Sequence, residues 1–241
     1  DHRALLGTTG TPTIGGVVAA NFSGPRRVLA GACRDFVLGV RFVTGEGEIV
    51  KNGGRVMKNV TGLDLSKLQC GAYGGPGVLT EVSLKVLPKP AVARTLVFEG
   101  LSAEDGLALL RKALGTPFEV AGAAHLPRSP SRTCLRIEGL QSQVDYRQQN
   151  LAALGEAPEI LEGEAHDALW RDIRDVAPFH GSGKPVWRLS VKPTAAPEIA
   201  EALGKALGAD SYFDWAGGLI WLQTPDASSG IADRIRAESR S

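Results

Sequence analysis

The sequence predicts an α+β fold in two parts, and three observations support this. Residues 53–88 are dense in glycine and end in the apolar run Val78–Leu87, a pattern typical of tight turns and close backbone approach beside a strand. Pro88 and Pro90 follow, and two prolines so close together fit neither a central strand nor a helix. Beyond them, the order β-α-β-β-α-β favours an antiparallel sheet with helices. We therefore expect domains at 1–90 and 91–241.

Composition narrows the classes of function. The chain has 241 residues, 43% of them hydrophobic, and a net charge of +1 without a long basic run, so we expect neither nucleic-acid binding nor a membrane surface. No apolar run approaches the ~20 residues of a membrane helix, and no secretory signal precedes the chain. Three separated cysteines without C-x-x-C disfavour disulfides and zinc and favour the cytoplasm. Because the single methionine is Met57, we expect a processed or partial chain.

The first domain begins with a small-residue helix at Ile14–Asn21, which contains Gly15 and Gly16 and ends at Ser23-Gly24-Pro25. Such a helix can lie close to another backbone, or its N–H groups can face an anion; a tightly packed core helix is the alternative. Asp35 either caps a turn or shapes a binding pocket. The remaining predicted elements are strands at Val37–Thr44, Glu48–Lys51 and Val78–Leu87 and a short helix at Leu63–Gln69.

The second domain alternates strands and helices. Ser102 is the predicted N-cap of the first helix, with Asp105 in the reach-back position of a capping box, and Gly208 is the predicted end of the fourth. The predicted strands are Ala93–Glu99, Phe118–Leu126, Arg132–Glu138, Ala157–Leu161, Val186–Val191, Tyr212–Asp214 and Gly218–Gln223. The predicted helices are Ser102–Leu114, Gln141–Leu154, Glu164–Asp175, Ala196–Leu207 and Ser228–Glu238.

Several familiar sites are disfavoured. The four histidines have no metal-ligand spacing, so each is expected at the surface or in a hydrogen bond. Gly181–Lys184 is not a phosphate loop, because prolines occupy positions 178 and 185 where glycine and Ser or Thr are required. Neither a nucleophile elbow nor a dinucleotide fingerprint occurs. Trp187 and Trp221 are expected in the core, and Trp215 at a partner surface or pocket rim.

Several motifs in order resemble the FAD-binding domain of the vanillyl-alcohol oxidase and p-cresol methylhydroxylase flavoprotein family. They are T-x-G-G-x-x-A-x-N-x-x-G from Thr13, R-D-x-V-L-G-V from Arg34, a strand with a G-E-G turn, K-N-V-x-G-x-D-L from Lys58 and G-V-L-T-E-V-x-L-K-V-L-P from Gly77. W-R-L-S at Trp187 and D-W-A-G-G-L-I-W-L at Asp214 look like the bacterial glycolate oxidase branch of the family.

The resemblance implies the second lobe of a PCMH-type FAD-binding domain at 1–90, without the family's preceding glycine-rich lobe, and an α+β cap for substrate or subunit contact at 91–241. FAD is the implied cofactor. Gly15 and Gly16 would lie against its pyrophosphate or ribityl chain, while Asn21, Ser23 and Gly24 would surround its isoalloxazine ring. The whole implied set of cofactor-binding residues is Thr13, Gly15, Gly16, Asn21, Ser23, Gly24, Asp35, Lys58, Asn59, Gly77, Val78 and Leu79.

The same resemblance implies an FAD-binding subunit of a glycolate oxidase complex, which passes electrons from glycolate, a small 2-hydroxy acid, through flavin to an acceptor. Its implied partners are two other chains of that complex, GlcD-type with flavin and GlcF-type with iron–sulfur clusters. The chain departs from the family at Ala72, Gly75 and Pro76, and we expect these changes to weaken flavin binding. No residue can be named as the catalytic base. The alternatives are an independent flavin enzyme, a non-catalytic assembly subunit that does not retain FAD and, more weakly, a UDP-sugar reductase of the same superfamily.

Overall fold

The computed structural model describes residues 5–55, 62–228 and 230–239. These residues form two compact units. The first runs from Thr8 to Lys89, and the second combines Leu5–Gly7 with the chain from Pro90 onward. The division therefore falls within the Pro88-Lys89-Pro90 segment, where proline removes backbone donors and interrupts regular structure.

The first unit is built on a three-stranded antiparallel sheet with β1 in its centre. Val37, Val40 and Phe42 of β1 are buried together with Val18, and they form a small core. The strands of this unit are β1 (Val37–Val43), β2 (Ile49–Gly53) and β3 (Val78–Leu84), and its described helices are α1 (Ile14–Ala19), α2 (Arg27–Ala30), α3 (Cys33–Phe36) and α4 (Leu65–Gln69).

Two glycines permit the close pairing of these strands. A Cβ atom built on Gly53, whose φ is +73°, would lie 2.3 Å from the carbonyl oxygen of Leu38. The corresponding atom on Gly77, whose φ is +147°, would lie 2.2 Å from the carbonyl oxygen of Val43. Since both positions combine positive φ with backbone contact, packing inside the sheet itself requires glycine at 53 and 77.

The second unit contains a seven-stranded antiparallel sheet in the order β7-β4-β6-β5-β9-β10-β8. Its strands are β4 (Val92–Glu99), β5 (Gly122–Leu126), β6 (Arg132–Gly139), β7 (Glu159–Leu161), β8 (Val186–Ser190), β9 (Asp210–Asp214) and β10 (Leu219–Gln223). Its described helices of more than three residues are α5 (Ala103–Leu114), α6 (Gln141–Ala152), α7 (Gly163–Asp175), α8 (Ala196–Leu207) and α9 (Ile231–Glu238). None of the helices in the described ranges is both long and apolar enough to span a bilayer.

The two faces of this sheet differ in chemistry. One face contributes Leu96, Leu135 and Ile220 to the large apolar core that it shares with α5, α6, α8 and α9. The face toward α7 is more polar. There the Thr95 hydroxyl contacts Nδ1 of His166 at 2.8 Å and accepts a hydrogen bond from Nε1 of Trp170 at 2.8 Å. Buried polar groups in this layer are thus satisfied by one another.

The fold class predicted from the sequence, α+β with an antiparallel sheet in its second part, is confirmed. Helix α8 has the predicted bounds and ends at Gly208, whose φ is +61°. Other boundaries were wrong: the strand expected from Phe118 begins at Gly122, and the strand expected to reach Leu87 ends at Leu84. In both cases the apolar pattern continues beyond the residues that find a ladder partner.

The tryptophan predictions need correction. Trp215 was expected at a rim or partner surface, but it is buried, with 8% of its surface exposed. Trp187 was expected in the core and is only half-buried, because its indole nitrogen donates to the Thr224 hydroxyl at 3.0 Å. Trp221 is buried as predicted.

Candidate functional site

The two glycine-rich segments of the first unit lie together. A Cβ atom built on Gly15 in α1 would lie 3.5 Å from the Cβ of Leu79, so α1 packs along the start of β3. The N–H of Gly71 donates to the carbonyl of Val18 at 3.3 Å, and the N–H of Tyr73 donates to the carbonyl of Ala19 at 2.9 Å. The turn before β3 is therefore attached to the end of α1.

The glycines of this region differ in why they are glycine. Packing within the unit demands the absence of a side chain at Gly77, as described above. The nearest atom to a Cβ on Gly15 is 3.5 Å away, and on Gly16 it is the Thr13 hydroxyl oxygen at 3.3 Å. Glycine inside a helix costs roughly 0.5–1 kcal/mol relative to alanine. The chain therefore carries this cost twice in a helix of six residues without a strong internal reason at Gly15.

The polar side chains expected at the cofactor make local hydrogen bonds instead. Thr13 is the N-cap of α1, and its hydroxyl accepts from the N–H of Gly16 at 3.0 Å. The side-chain oxygen of Asn21 accepts from the N–H of Arg34 at 2.9 Å. Asp35 accepts from the N–H of Ala32 at 2.8 Å, as a cap of α3. These residues shape the loops around the candidate site.

Ser23 adds a second connection between the same loops. Its hydroxyl accepts from the N–H of Cys33 at 3.0 Å and donates to the carbonyl of Asn21 at 3.4 Å. The carbonyl of the neighbouring Gly24 accepts from the N–H of Arg27, at the start of α2, at 3.0 Å. The loop that follows α1 is therefore held in one conformation by backbone and hydroxyl groups together.

The remaining expected residues differ in exposure. Val78 is 70% exposed, whereas Leu79 is half-buried and packs against the small core of the first unit. Lys58 and Asn59 lie outside the residues that the structure describes. A flat apolar ligand would find Val78 accessible, since large exposed apolar side chains beside a glycine surface suit ring stacking.

Lys67 was missed by the sequence analysis. Its ammonium group donates to the carbonyl of Arg34 at 2.6 Å and to that of Val37 at 2.7 Å, so it satisfies carbonyls where α3 passes into β1. Burial raises the pKa of the Cys33 and Cys70 thiols, and the charge of Lys67 opposes that rise in both. No local pattern around Lys67 signals this role, because its partners lie about 30 residues earlier in the chain.

The described residues offer no evident base or metal site. His125 and His166 are buried in the second unit, and desolvation lowers the pKa of both, that of His125 to about 4. Among the described ranges, no group of three or more His, Cys, Asp and Glu residues is arranged to hold a metal ion. The region around α1 and β3 offers a ligand mainly glycine backbone and the exposed side chain of Val78, a surface that fits a flat ring and its linking chain.

Comparison with known proteins agrees with this site. Residues 3–53 match a family model described as an FAD binding domain, a range that includes α1 and the loops fixed by Asn21, Ser23 and Asp35. The chain belongs to the PCMH-type family of FAD-binding flavoproteins, and the match supports FAD as its cofactor.

Within that family the chain is similar to the glycolate oxidase subunit GlcE of Escherichia coli (strain K12). The two are 36% identical over 214 residues, which are 88% of this chain and 55% of the relative. It is also 30% identical to the glycolate oxidase subunit GlcD of Bacillus subtilis (strain 168), over 80% of this chain and 39% of the relative. The chain thus spans about half the length or less of these curated relatives.

A solved structure supports the fold. Alkyldihydroxyacetonephosphate synthase superposes with a TM-score of 0.64 at 15% identity, covering 94% of this chain and 52% of that one. At this level of identity the likeness concerns architecture alone.

Proposed function

We propose that the chain is an FAD-binding subunit of a glycolate oxidase complex, in which electrons pass from glycolate through flavin to an acceptor. The similarity to GlcE over 88% of the chain suggests the activity. The structural observation that carries the proposal is Gly15 in α1, which faces Leu79 of β3 without a clash that would demand glycine. A surface kept free of side chains is what close contact with a cofactor requires.

In this proposal the first unit holds the cofactor through its backbone. Gly15, Gly16 and Gly24 provide surface without side chains, and Val78 and Leu79 provide apolar contact. Gly77 acts indirectly, because it allows β3 to begin against the end of β1. Thr13, Asn21, Ser23 and Asp35 support the site by fixing its loops, and Lys58 and Asn59 are proposed to act electrostatically. FAD, when bound, supplies the two-electron chemistry that converts a 2-hydroxy acid to a 2-oxo acid.

We assign residues 1–90 to the second lobe of the FAD-binding domain and 91–241 to an α+β cap for substrate or subunit contact. Its partners in this proposal are the GlcD-type flavin chain and the GlcF-type iron–sulfur chain of the complex, in the cytoplasm. An assembly role without FAD is less favoured, because it leaves the match to an FAD binding domain and the helical glycines unexplained.

The test is a comparison of complexes. The GlcD-type and GlcF-type chains are purified with and without this protein, and flavin content and anaerobic bleaching by glycolate are measured in each preparation. The proposal predicts one additional flavin per copy of this protein, and its reduction when glycolate is added. If the protein co-purifies with the complex and no flavin is added, the assembly role replaces the proposed one.

A further inference from the structure

Strand β8 of the second unit presents an arginine in an unusual setting. Arg188 is exposed, and its register partner on β10 is Trp221, which is buried. Its guanidinium carbon lies 5.1 Å from the ring centroid of Trp215, in the turn between β9 and β10. Trp215 and Trp221 thus flank one cation on the same side of the sheet.

The turn that carries Trp215 is strained. Trp215 and Ala216 have φ values of +53° and +54°, and Gly217 follows at +97°. A non-glycine residue in this region costs on the order of 1–3 kcal/mol and persists where its surroundings enforce it. Here Asp214 accepts from the N–H of Trp215 at 2.7 Å, and a Cβ on Gly217 would lie 2.8 Å from the carbonyl of Pro193. The turn therefore holds the indole in a fixed position.

The chemistry of this group suits a carboxylate. A guanidinium presents a planar fork of donors that matches two carboxylate oxygens, and an aromatic face beneath it fixes its orientation in advance. Ser190 lies two residues further along β8, so its exposed hydroxyl is on the same face as Arg188. The neighbouring Asp214 is a weak competitor for the guanidinium, because burial raises the pKa of this carboxyl to about 7.

We propose that Arg188, held over Trp215, binds the carboxylate of a small 2-hydroxy or 2-oxo acid, and that Ser190 hydrogen-bonds the neighbouring oxygen of the same acid. The identity of the acid rests on the function proposed above, whereas the carboxylate preference rests on the arginine and its setting. A purely structural stacking of Arg188 on Trp215 is the competing explanation, and it predicts no binding.

The experiment is a titration of the purified protein with glycolate and with oxalate at constant ionic strength. Tryptophan fluorescence and isothermal calorimetry are recorded for wild type, Arg188→Lys, Arg188→Met and the control Arg171→Met, which removes an exposed arginine from α7. Because a hydrogen bond to a charged group is worth about 1.5–3 kcal/mol, Arg188→Met should weaken binding about 10- to 100-fold, with Arg188→Lys in between. Arg171→Met should bind as wild type does.

Saturable binding that is lost in Arg188→Met, with circular dichroism unchanged, supports the site. Absence of saturable binding in wild type, or equal affinity in Arg188→Met, overturns it. FAD content is measured in the same preparations. Flavin retained without carboxylate binding refutes this inference alone, whereas carboxylate binding without flavin refutes the proposed flavin function alone.

Discussion

The two classes of glycine in the first unit predict opposite responses to alanine. In Gly15→Ala the new methyl group meets Leu79 at 3.5 Å, an ordinary contact. The substitution lowers the entropy of the unfolded chain and favours the helix by roughly 0.5–1 kcal/mol. The thermal midpoint of the flavin-free protein should therefore stay constant or rise by about 1–4 °C. The same methyl group would occupy the surface proposed for FAD, so affinity should fall by about 5- to 150-fold, the equivalent of a 1–3 kcal/mol steric cost.

Gly77→Ala is the matched comparison. Its methyl group would lie 2.2 Å from the carbonyl oxygen of Val43, at a φ of +147°. Steric overlap and backbone strain each cost about 1–3 kcal/mol, so the flavin-free protein should lose about 2–6 kcal/mol of unfolding free energy. The assays are thermal unfolding of the flavin-free protein and FAD titration followed by quenching of flavin fluorescence.

The reasoning fails if Gly15→Ala destabilises the flavin-free protein by more than about 1 kcal/mol, since its packing would then be tighter than the distances indicate. It also fails if Gly15→Ala binds FAD as tightly as wild type, because the helical glycine would then have no function at the cofactor. A loss of FAD in Gly77→Ala alone carries no weight, as an unfolded first unit binds nothing.

Three further outcomes concern the second unit. The pKa of Asp214 is raised from 3.8 to about 7 by burial, so this group stabilises the fold at low pH; relative to Asp214→Asn, wild type should lose unfolding free energy between about pH 4 and 7 and then level off in urea titrations. Gly106→Ala should cost about 1–3 kcal/mol, because its Cβ would lie 2.4 Å from Nδ1 of His125; Gly115→Ala, at the end of the same helix, should unfold like wild type. Burial raises the pKa of Cys134 to about 12, so mass spectrometry should find this thiol unmodified by iodoacetamide at pH 8 unless the protein is unfolded.

Local signals account for what could be predicted of the fold. Helix α5 begins at Ser102, whose hydroxyl accepts from the N–H of Asp105 at 3.0 Å, and α8 ends at Gly208. Both are interactions between residues close in the chain, so the sequence contains the whole signal. The strand order of the seven-stranded sheet could not be read in this way, because β5 joins β9 through pairing across almost 90 residues.

Trp215 shows where local reasoning fails. The letters D-W-A-G-G indicate an exposed turn, and a turn is present. Three successive positive φ values fold the indole back over Arg188, and the tryptophan is buried. The cause is the contact with β8, more than 20 residues away in the chain, which no spacing rule reveals.

The candidate site divides in the same manner. The glycine segments and their meeting could be anticipated from the motifs around Gly15 and Gly77. The tasks of Asn21 and Ser23 could not, because their partners are the backbone amides of Arg34 and Cys33, which only the folded loop brings near. A motif fixes which residues are present, whereas the fold decides whether a side chain is available to a ligand.

Amide hydrogen exchange with and without FAD tests the central claim most directly. If the two glycine-rich segments hold the cofactor, exchange should slow in peptides covering residues 13–24 and 71–80 when FAD is added, and the second effect should disappear together with the first in Gly15→Ala. Unchanged exchange in both segments, with FAD bound elsewhere or not at all, would contradict the claim.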